Sequence, residues 1–184
     1  MGQLFPFIEC LLLNEQKEPV AKGEVGELYM KAPYLLGEYL KNPKANEESF
    51  YNGYFTVGDM AMQDEEGYYY IVDRKKDMLI SGGVNIYPRE IEAVLYSHPH
   101  ILDVAIIGVP DPKWGEAIKA VVVVKDGYFL TEDEIIKFYE GKIASFKKPK
   151  SVDFVKELPR NPSGKILKTE LRSKCWENHL YKIN

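Results

Sequence analysis

The chain has 184 residues, enough for one large or two small domains, and its 45% hydrophobic and 28% charged residues are ordinary for a globular protein. The net charge of −4 disfavours a general nucleic-acid partner, and the longest apolar runs, such as Val121–Val124, are too short to cross a bilayer. Residues 1–13 lack the basic start of a signal peptide. The two cysteines, Cys10 and Cys175, have no metal-binding spacing. We therefore expect a cytoplasmic protein with reduced thiols, no transmembrane segment and no metal site of its own.

Residues 1–73 are predicted to be rich in β-structure. Two short apolar runs, Phe7–Leu13 and Gly26–Lys31, are separated by a polar loop that contains proline and glycine. Further along the chain, Tyr54–Met62 and Tyr68–Val72 flank the turn sequence QDEEG, and this pattern predicts a hairpin. The first part of the chain is therefore expected to be a small β-rich subdomain.

Residues 74–184 have a different pattern, in which helices and strands alternate. The apolar periodicity predicts helices at Pro88–Tyr96, Thr131–Ala144 and Lys168–Leu180, and strands at Ile101–Val109, Ile118–Val124 and Val152–Val155. The second helix opens with a capping box formed by Thr131 and Glu134. The fold class is therefore α+β, with a compact C-terminal domain in which helices flank a short central sheet. The charged run DRKKD at Asp73–Asp77 marks the boundary between the two parts.

Two clusters of polar residues and glycines suit a ligand. In YFTVGDM, Gly58 precedes Asp59, whose two carboxylate oxygens match a vicinal diol, although Gly-Asp alone is more often an ordinary turn. In DRKKDMLISGGVNIYPREIE, Arg74 could bridge a sugar hydroxyl or a phosphate, and Gly82 and Gly83 permit close approach of the backbone to a ligand. A solvated linker followed by a Gly-Gly turn and a helix is the simpler interpretation of that segment.

Two further clusters lie nearer the C-terminus. GVPDPKWGE at Gly108–Glu116 is predicted to be a loop in which Trp114 is a packing anchor. In PRNPSGKILK, the turn residues 161–164 directly precede Lys165. A solvated lysine needs no structured loop, whereas a lysine that must reach one anionic atom does. The chain has no G-x-x-x-x-G-K-[ST] motif, which excludes a phosphate-binding P-loop.

In their order and spacing, these clusters resemble the adenylate-forming superfamily, which includes acyl-CoA synthetases, coumarate-CoA ligases, luciferases and peptide-synthetase adenylation domains. The motifs are GEVGELYMKAP, YFTVGDM, DRKKDMLISGGVNIYPREIE, GVPDPKWGE and LPRNPSGKILK, and the resemblance covers the chain from about Gly2 to Trp176. It implies the C-terminal portion of a bacterial-type, ATP-dependent, AMP-forming acyl-CoA synthetase. Residues 1–73 would be the last subdomain of the large domain, and residues 74–184 the mobile C-terminal domain. The chain alone is expected to be inactive, because the family's phosphate loop and most of its acyl pocket lie in a preceding N-terminal domain.

The resemblance also implies roles in nucleotide chemistry. Asp59 is similar to the aspartate that holds both ribose hydroxyls of ATP, and Arg74 to the arginine that also contacts the ribose. Lys165 matches the catalytic lysine, which bridges the acyl carboxylate and the nucleotide phosphate. One departure is Val57, which stands where the family usually has a threonine, so that position offers no hydroxyl to the nucleotide.

Other positions match the CoA-binding and moving parts of the family. Gly83, with Gly82 and Val84 beside it, resembles the lining of the tunnel for the pantetheine arm, and Lys147 resembles a contact for the CoA phosphates. Lys76 matches the hinge. The expected substrates are a carboxylic acid, ATP and CoA. Mg²⁺ is expected to accompany ATP, with its ligands in the missing N-terminal part.

Two alternatives remain open at this point. One is an adenylation domain that loads a carrier protein instead of CoA, which is disfavoured because no carrier segment is expected after Asn184. The other is a non-catalytic interaction module, which the intact Lys165, Asp59 and Arg74 disfavour. Neither the carboxylic acid nor the oligomeric state follows from the sequence.

Overall fold

A computed structural model describes residues 2–176 of the chain. The chain forms two compact units, which divide between Lys76 and Asp77. The sequence predicts the boundary between Asp73 and Arg74, at the start of the charged run. The division comes later because the last strand of the first unit continues through Arg74, and Lys75 donates its backbone N–H to Gly58 of the same unit.

The first unit is built on an antiparallel sheet. Its strands are β1 (Glu9–Leu13), β2 (Val25–Lys31), β3 (Phe50–Tyr51), β4 (Tyr54–Phe55), β5 (Asp59–Gln63) and β6 (Tyr69–Arg74). Hydrogen-bonded neighbours follow the order β3-β4-β2-β5-β6, and β1 also pairs with β2. The predicted hairpin around QDEEG is confirmed, since β5 and β6 pair directly across it.

Two features of this unit differ from the sequence prediction. The run Tyr54–Met62 is two strands and not one, because Gly58 takes a φ of +78° and turns the chain between β4 and β5. A short helix, α1 (Pro43–Ser49), was not predicted. The side chain of Asn42 caps it by accepting the Ala45 N–H at 3.2 Å, which explains how so short a helix begins.

The second unit contains a mixed sheet and three helices among the described residues. Its strands are β7 (Leu79–Ser81), β8 (Val84–Ile86), β9 (Ile101–Asp111), β10 (Gly115–Val124) and β11 (Ser151–Phe154), and its helices are α2 (Pro88–Tyr96), α3 (Glu132–Phe138) and α4 (Lys168–Trp176). The long strand β10 runs antiparallel to β9 and β7 and parallel to β11.

The helices cover both faces of this sheet. On β9, Val104 belongs to a buried cluster with Ile91 of α2 and Ile135 of α3. The next residue, Ala105, belongs to a second cluster with Leu171 of α4. Successive side chains of a strand point to opposite faces, so α2 and α3 cover one face and α4 covers the other. The predicted α+β class, with a short central sheet flanked by helices, is confirmed.

Several element boundaries differ from the prediction. The helix predicted at Thr131–Ala144 begins as expected, with its capping box, but α3 ends at Phe138 and the chain turns at Gly141, which has a φ of +71°. The predicted loop Gly108–Glu116 is mostly a hairpin, because β9 and β10 extend into it from both sides. The end of the helix predicted to reach Leu180 lies outside the described residues. Within residues 2–176, no helix is long and apolar enough to cross a membrane.

Candidate functional site

Asp59 and Arg74 lie directly opposite each other on β5 and β6. The Nε atom of Arg74 is 3.0 Å from Oδ1 of Asp59, and the two side chains are 44% and 25% exposed. The two residues predicted to contact the ribose are therefore brought together at the sheet surface. Their arrangement offers carboxylate acceptors beside a guanidinium donor, which suits a ligand rich in hydroxyl groups.

The turn before Asp59 is fixed by hydrogen bonds. The buried Thr56 accepts the Gly58 N–H on its hydroxyl at 3.0 Å. The carbonyl of Gly58 accepts the Lys75 N–H at 2.8 Å, which ties the turn to the end of β6. Val57 is 47% exposed. The hydroxyl of the buried Thr56 thus fixes the backbone of the turn, while the apolar side chain of Val57 lies at the surface.

Lys165 is held on a closed loop. The side-chain oxygen of Asn161 accepts the Lys165 N–H at 2.9 Å and also accepts the N–H and hydroxyl of Ser163. The Asn161 N–H in turn donates to the Lys165 carbonyl at 2.9 Å. Gly164 has a φ of +82°, a conformation in which other residues are strained. The loop backbone is therefore fixed while the Lys165 side chain is exposed.

Arg160 braces the same loop from outside, and the sequence prediction missed it. Its guanidinium donates to the Gly164 carbonyl and forms an ion pair with Asp103 of β9. Asp103 also accepts the Tyr96 hydroxyl at 2.7 Å. Burial and the hydrogen bond to Asp103 raise the pKa of Tyr96 to about 12, so the phenol remains a donor at neutral pH. No sequence signal links Arg160 to Asp103, because they are far apart along the chain.

Gly82 and Gly83 form the turn between β7 and β8, with φ values of +60° and +79°. A Cβ atom on Gly82 would lie 2.7 Å from Cε3 of Trp114, whereas a Cβ atom on Gly83 would meet no atom within 4 Å. Trp114 is therefore a packing anchor for this turn, as predicted. Gly83 faces open space, and the adjacent Val84 is 45% exposed.

Glu116 holds the strand that leads into this turn. Its Oε2 atom accepts the Ile80 N–H at 3.1 Å, and its Oε1 atom pairs with Arg172 of α4 at 3.0 Å. Gly108 makes room for this carboxylate, because a Cβ atom there would lie 2.8 Å from Oε2. Sequence reasoning placed Glu116 in a motif but gave it no role.

The remaining predicted residues are Lys147 and Lys76. Lys147 pairs with Glu90 near the start of α2 at 2.6 Å, so a phosphate would have to compete with a carboxylate for its ammonium. Lys76 is exposed and belongs to a short 3₁₀ turn, Lys75–Asp77, where the two units divide.

The predicted site residues are thus divided between the two units. Asp59 and Arg74 are in contact in the first unit, while Lys165, Lys147 and the Gly82–Val84 turn occupy separate segments of the second. Across residues 2–176, no group of three or more His, Cys, Asp or Glu side chains could hold a metal ion.

Comparison with known proteins identifies the family. Residues 90–165 match the family described as the AMP-binding enzyme C-terminal domain. The chain belongs to the adenylate-forming superfamily of AMP-binding enzymes and corresponds to its C-terminal portion.

The curated relatives of this chain include CoA ligases. The chain is 46% identical to feruloyl-CoA synthase of an Amycolatopsis species over 166 residues, which cover 90% of this chain and 34% of the relative. It is 50% identical to the long-chain-fatty-acid–CoA ligase FadD13 of Mycobacterium tuberculosis over 147 residues, which cover 80% of this chain and 29% of the relative. The chain therefore spans about a third of the length of these relatives.

Solved structures agree with this assignment. ATP-bound MatB from Rhodopseudomonas palustris matches with a TM-score of 0.88 and 35% identity, over 96% of this chain and 35% of that protein. The o-succinylbenzoate CoA synthetase MenE from Bacillus subtilis, in complex with its acyl-adenylate intermediate, matches with a TM-score of 0.84 and 34% identity, over 90% of this chain and 34% of that protein.

Proposed function

We propose that this chain is the C-terminal part of an AMP-forming acid–thiol ligase. The whole enzyme converts a carboxylic acid, ATP and CoA into acyl-CoA, AMP and pyrophosphate through an acyl-adenylate. The observation that carries this proposal is the loop whose backbone Asn161 fixes by hydrogen bonds and on which the Lys165 side chain is exposed. The identities of 46% and 50% to CoA ligases support CoA, and not a carrier protein, as the acceptor.

Lys165 acts in the first half-reaction, in which a carboxylate attacks the α-phosphate of ATP. Two anions must meet, and a fixed ammonium between them offsets their repulsion and stabilises the charge that develops in the transition state. One such contact at ~4 Å and an effective dielectric constant of ~20 is worth roughly 4 kcal/mol before desolvation. Because the loop backbone is fixed by Asn161, only the side chain of Lys165 remains to be ordered when the ammonium meets the two anions.

Asp59 and Arg74 hold the nucleotide during this step. The Asp59 carboxylate accepts the two ribose hydroxyl protons, one on each oxygen. The Arg74 guanidinium, 3.0 Å from Asp59, keeps that carboxylate in place and contacts the ribose itself. The ribose is thereby oriented so that the α-phosphate meets the carboxylate substrate.

The second half-reaction transfers the acyl group to the thiol of CoA. The second unit acts as a mobile domain that swings at Lys76 relative to the large domain to which the first unit belongs. The swing withdraws Lys165 and brings in the Gly82–Val84 turn, where the open space beside Gly83 admits the pantetheine arm. Lys147 contacts the CoA phosphates after it releases Glu90.

Mg²⁺ is proposed to accompany ATP. Its ligands are proposed to lie in the N-terminal part of the enzyme, as the family resemblance implies. The reaction is proposed to take place in the cytoplasm, where the thiols of Cys10 and Cys175 stay reduced.

The decisive experiment measures pyrophosphate release by the full-length enzyme over a panel of carboxylic acids, with and without CoA. Because the relatives are named for feruloyl and long-chain fatty acyl groups, the panel includes aromatic and fatty acids. We expect acid-dependent pyrophosphate release and a thioester product, and neither from this chain alone. An adenylate that passes to a carrier protein but never to CoA would contradict the acceptor, and thioester formation by this chain alone would contradict its assignment as a part.

A further inference from the structure

Glu27 on β2 carries a carboxylate that is almost completely buried in the first unit. Its side chain is 8% exposed, and its Oε2 atom lies 2.9 Å from Nζ of Lys75. Lys17 lies 3.4 Å from the same oxygen. The Thr56 hydroxyl donates to Oε1 at 3.4 Å. A buried carboxylate requires such partners, because an unpaired buried charge is costly.

Two of these partners border the residues that are proposed to bind the nucleotide. Thr56 accepts the N–H of Gly58, the residue before Asp59, at 3.0 Å. Lys75, the residue after Arg74, donates its N–H to the Gly58 carbonyl at 2.8 Å. The turn that precedes Asp59 and the residue that follows Arg74 are therefore hydrogen-bonded to each other, and both contact the Glu27 carboxylate.

We propose that Glu27 is a positioning residue for the Asp59–Arg74 pair. It anchors on β2 both the turn before Asp59 and the residue after Arg74. The pair consequently keeps its 3.0 Å spacing while the chain beyond Lys75 turns. This inference rests on the proposed function, because that proposal assigns the pair to ATP and the turning point to Lys76. The alternative is that Glu27 only stabilises the fold of the first unit.

A substitution at Lys75 can separate the proposed role of Glu27 in positioning Asp59 and Arg74 from a role in the stability of the fold. The Lys75 side chain is 47% exposed, and a half-exposed ion pair contributes little to folding. Lys75→Met keeps the aliphatic part of the side chain and removes the ammonium, while Glu27→Gln keeps the volume and removes the charge. Glu48→Gln is the matched control, because Glu48 makes an exposed ion pair with Lys44 at 3.9 Å.

The first test is amide hydrogen exchange, which requires no activity. In Lys75→Met and Glu27→Gln, we expect the amides of Gly58 and Lys75 to exchange roughly tenfold faster than in the wild type, because local opening of the turn becomes easier. Glu48→Gln should leave both amides unchanged. If both amides keep their wild-type exchange rates in a folded Lys75→Met variant, the anchor does not exist as proposed, even if Glu27→Gln fails to fold.

The second test uses the full-length enzyme. We expect Glu27→Gln and Lys75→Met each to raise the KM for ATP in pyrophosphate release roughly tenfold, with the KM for the acid unchanged, because only the nucleotide contacts are displaced. The double variant should be no worse than Glu27→Gln alone, since the charged contact that Lys75→Met removes is already lost in Glu27→Gln.

The outcomes of the two tests distinguish the two proposals. A purely structural role for Glu27 would lower the fraction of active enzyme without a selective change in the KM for ATP, and that result would overturn the inference. A wild-type enzyme that releases no pyrophosphate with any acid would overturn the proposed function. Hydrogen exchange at Gly58 and Lys75 would then still decide whether Glu27 anchors these segments.

Discussion

At the scale of single residues, the loop around Lys165 explains why a lysine is mounted on a turn. Asn161 accepts three hydrogen bonds from within the loop, so the backbone is closed by one side chain while the ammonium stays in solvent. Such a mounting fixes the position from which the ammonium reaches out, and it leaves the charge available for an anion.

Replacing Lys165 tests its role directly. In the full-length enzyme, Lys165→Ala should slow adenylation by ~10²–10³, the effect of losing one preorganised electrostatic group. Transfer of a pre-formed acyl-adenylate to CoA should continue at nearly the normal rate, because the proposed swing withdraws Lys165 before this step. Both half-reactions are measured separately, with Lys174→Ala, an exposed lysine on α4, as the control. An equal loss in both half-reactions would contradict the assigned role.

The brace formed by Arg160 gives a second prediction at this scale. Arg160→Met removes the donor to the Gly164 carbonyl and the ion pair with Asp103, so the loop backbone gains freedom. We expect adenylation to slow roughly tenfold, since small displacements of a catalytic group are costly. Thioester formation from the pre-formed adenylate should not change. Asp103→Asn should give a similar defect, and a fall in both half-reactions would indicate that Arg160 only stabilises the fold.

At the scale of elements, the sequence predicted those with strong periodicity and missed those without it. α2 was predicted with its observed bounds, because Pro88 starts it and Ile91 and Leu95 repeat on its buried face. α1 was missed because it buries no residue and so has no apolar stripe. β7 and β8 are very short, and the Gly82–Gly83 turn dominated the interpretation of their segment.

The Gly82–Gly83 turn leads to a prediction with a matched control. Gly83→Ala places a methyl group in the open space proposed for the pantetheine arm, at a cost of ~1 kcal/mol for a positive φ. Gly127→Ala has the same strain, with a φ of +81° and no atom within 4 Å of its added Cβ. We expect equal losses in the free energy of unfolding, but a raised KM for CoA only in Gly83→Ala. Equal values of this KM in the two variants would exclude Gly83 from the CoA path.

The Glu27 anchor joins β2 to the turn before β5 and to the residue after β6, and it makes this part of the fold sensitive to acid. Burial raises the pKa of the Glu27 carboxyl. The hydrogen bond and charge of Lys75, together with the charge of Lys17, lower this pKa by more than burial raises it, so the net shift is downward. A lowered pKa adds stability above the ordinary value of 4.5, and this contribution is lost as the pH falls through the folded-state pKa. The difference in urea midpoint between the wild type and Glu27→Gln should therefore shrink from pH 7 towards pH 3. A constant difference would show that the charge of Glu27 is not involved.

At the scale of the whole molecule, the two units divide directly after Lys76. The charged run in the sequence indicated this region, but nothing in the run showed that Lys75 differs in role from Lys76. Lys75 contacts a buried carboxylate on β2, a contact between residues far apart in sequence that no local pattern encodes. For the same reason the Arg160–Asp103 brace could not be predicted. The motifs do predict Asp59, Arg74 and Lys165 as site residues, and their roles stay predictions.

The hinge proposed at Lys76 can be tested by fixing the backbone there. Lys76→Pro fixes φ near −65° and restricts Lys75 as well, so the chain should be trapped in one orientation. We expect pyrophosphate release to remain, while transfer of a pre-formed acyl-adenylate to CoA collapses. Lys76→Ala, which leaves φ free, is the control and should transfer normally. Normal thioester formation by a folded Lys76→Pro enzyme would place the swing elsewhere.

The contact between Trp114 and Gly82 also has an optical consequence. Both indoles of the chain, Trp114 and Trp176, belong to the second unit, and residues 1–76 contain only tyrosine and phenylalanine as aromatic residues. Intrinsic tryptophan fluorescence therefore reports on one unit alone. Trp114 is 44% exposed beside the turn that is proposed to admit the pantetheine arm, while Trp176 donates its indole N–H to the Gly108 carbonyl at 3.1 Å. A ligand that covers the turn should shift the emission of Trp114 to shorter wavelength, so the half of the molecule proposed to move carries its own spectroscopic label.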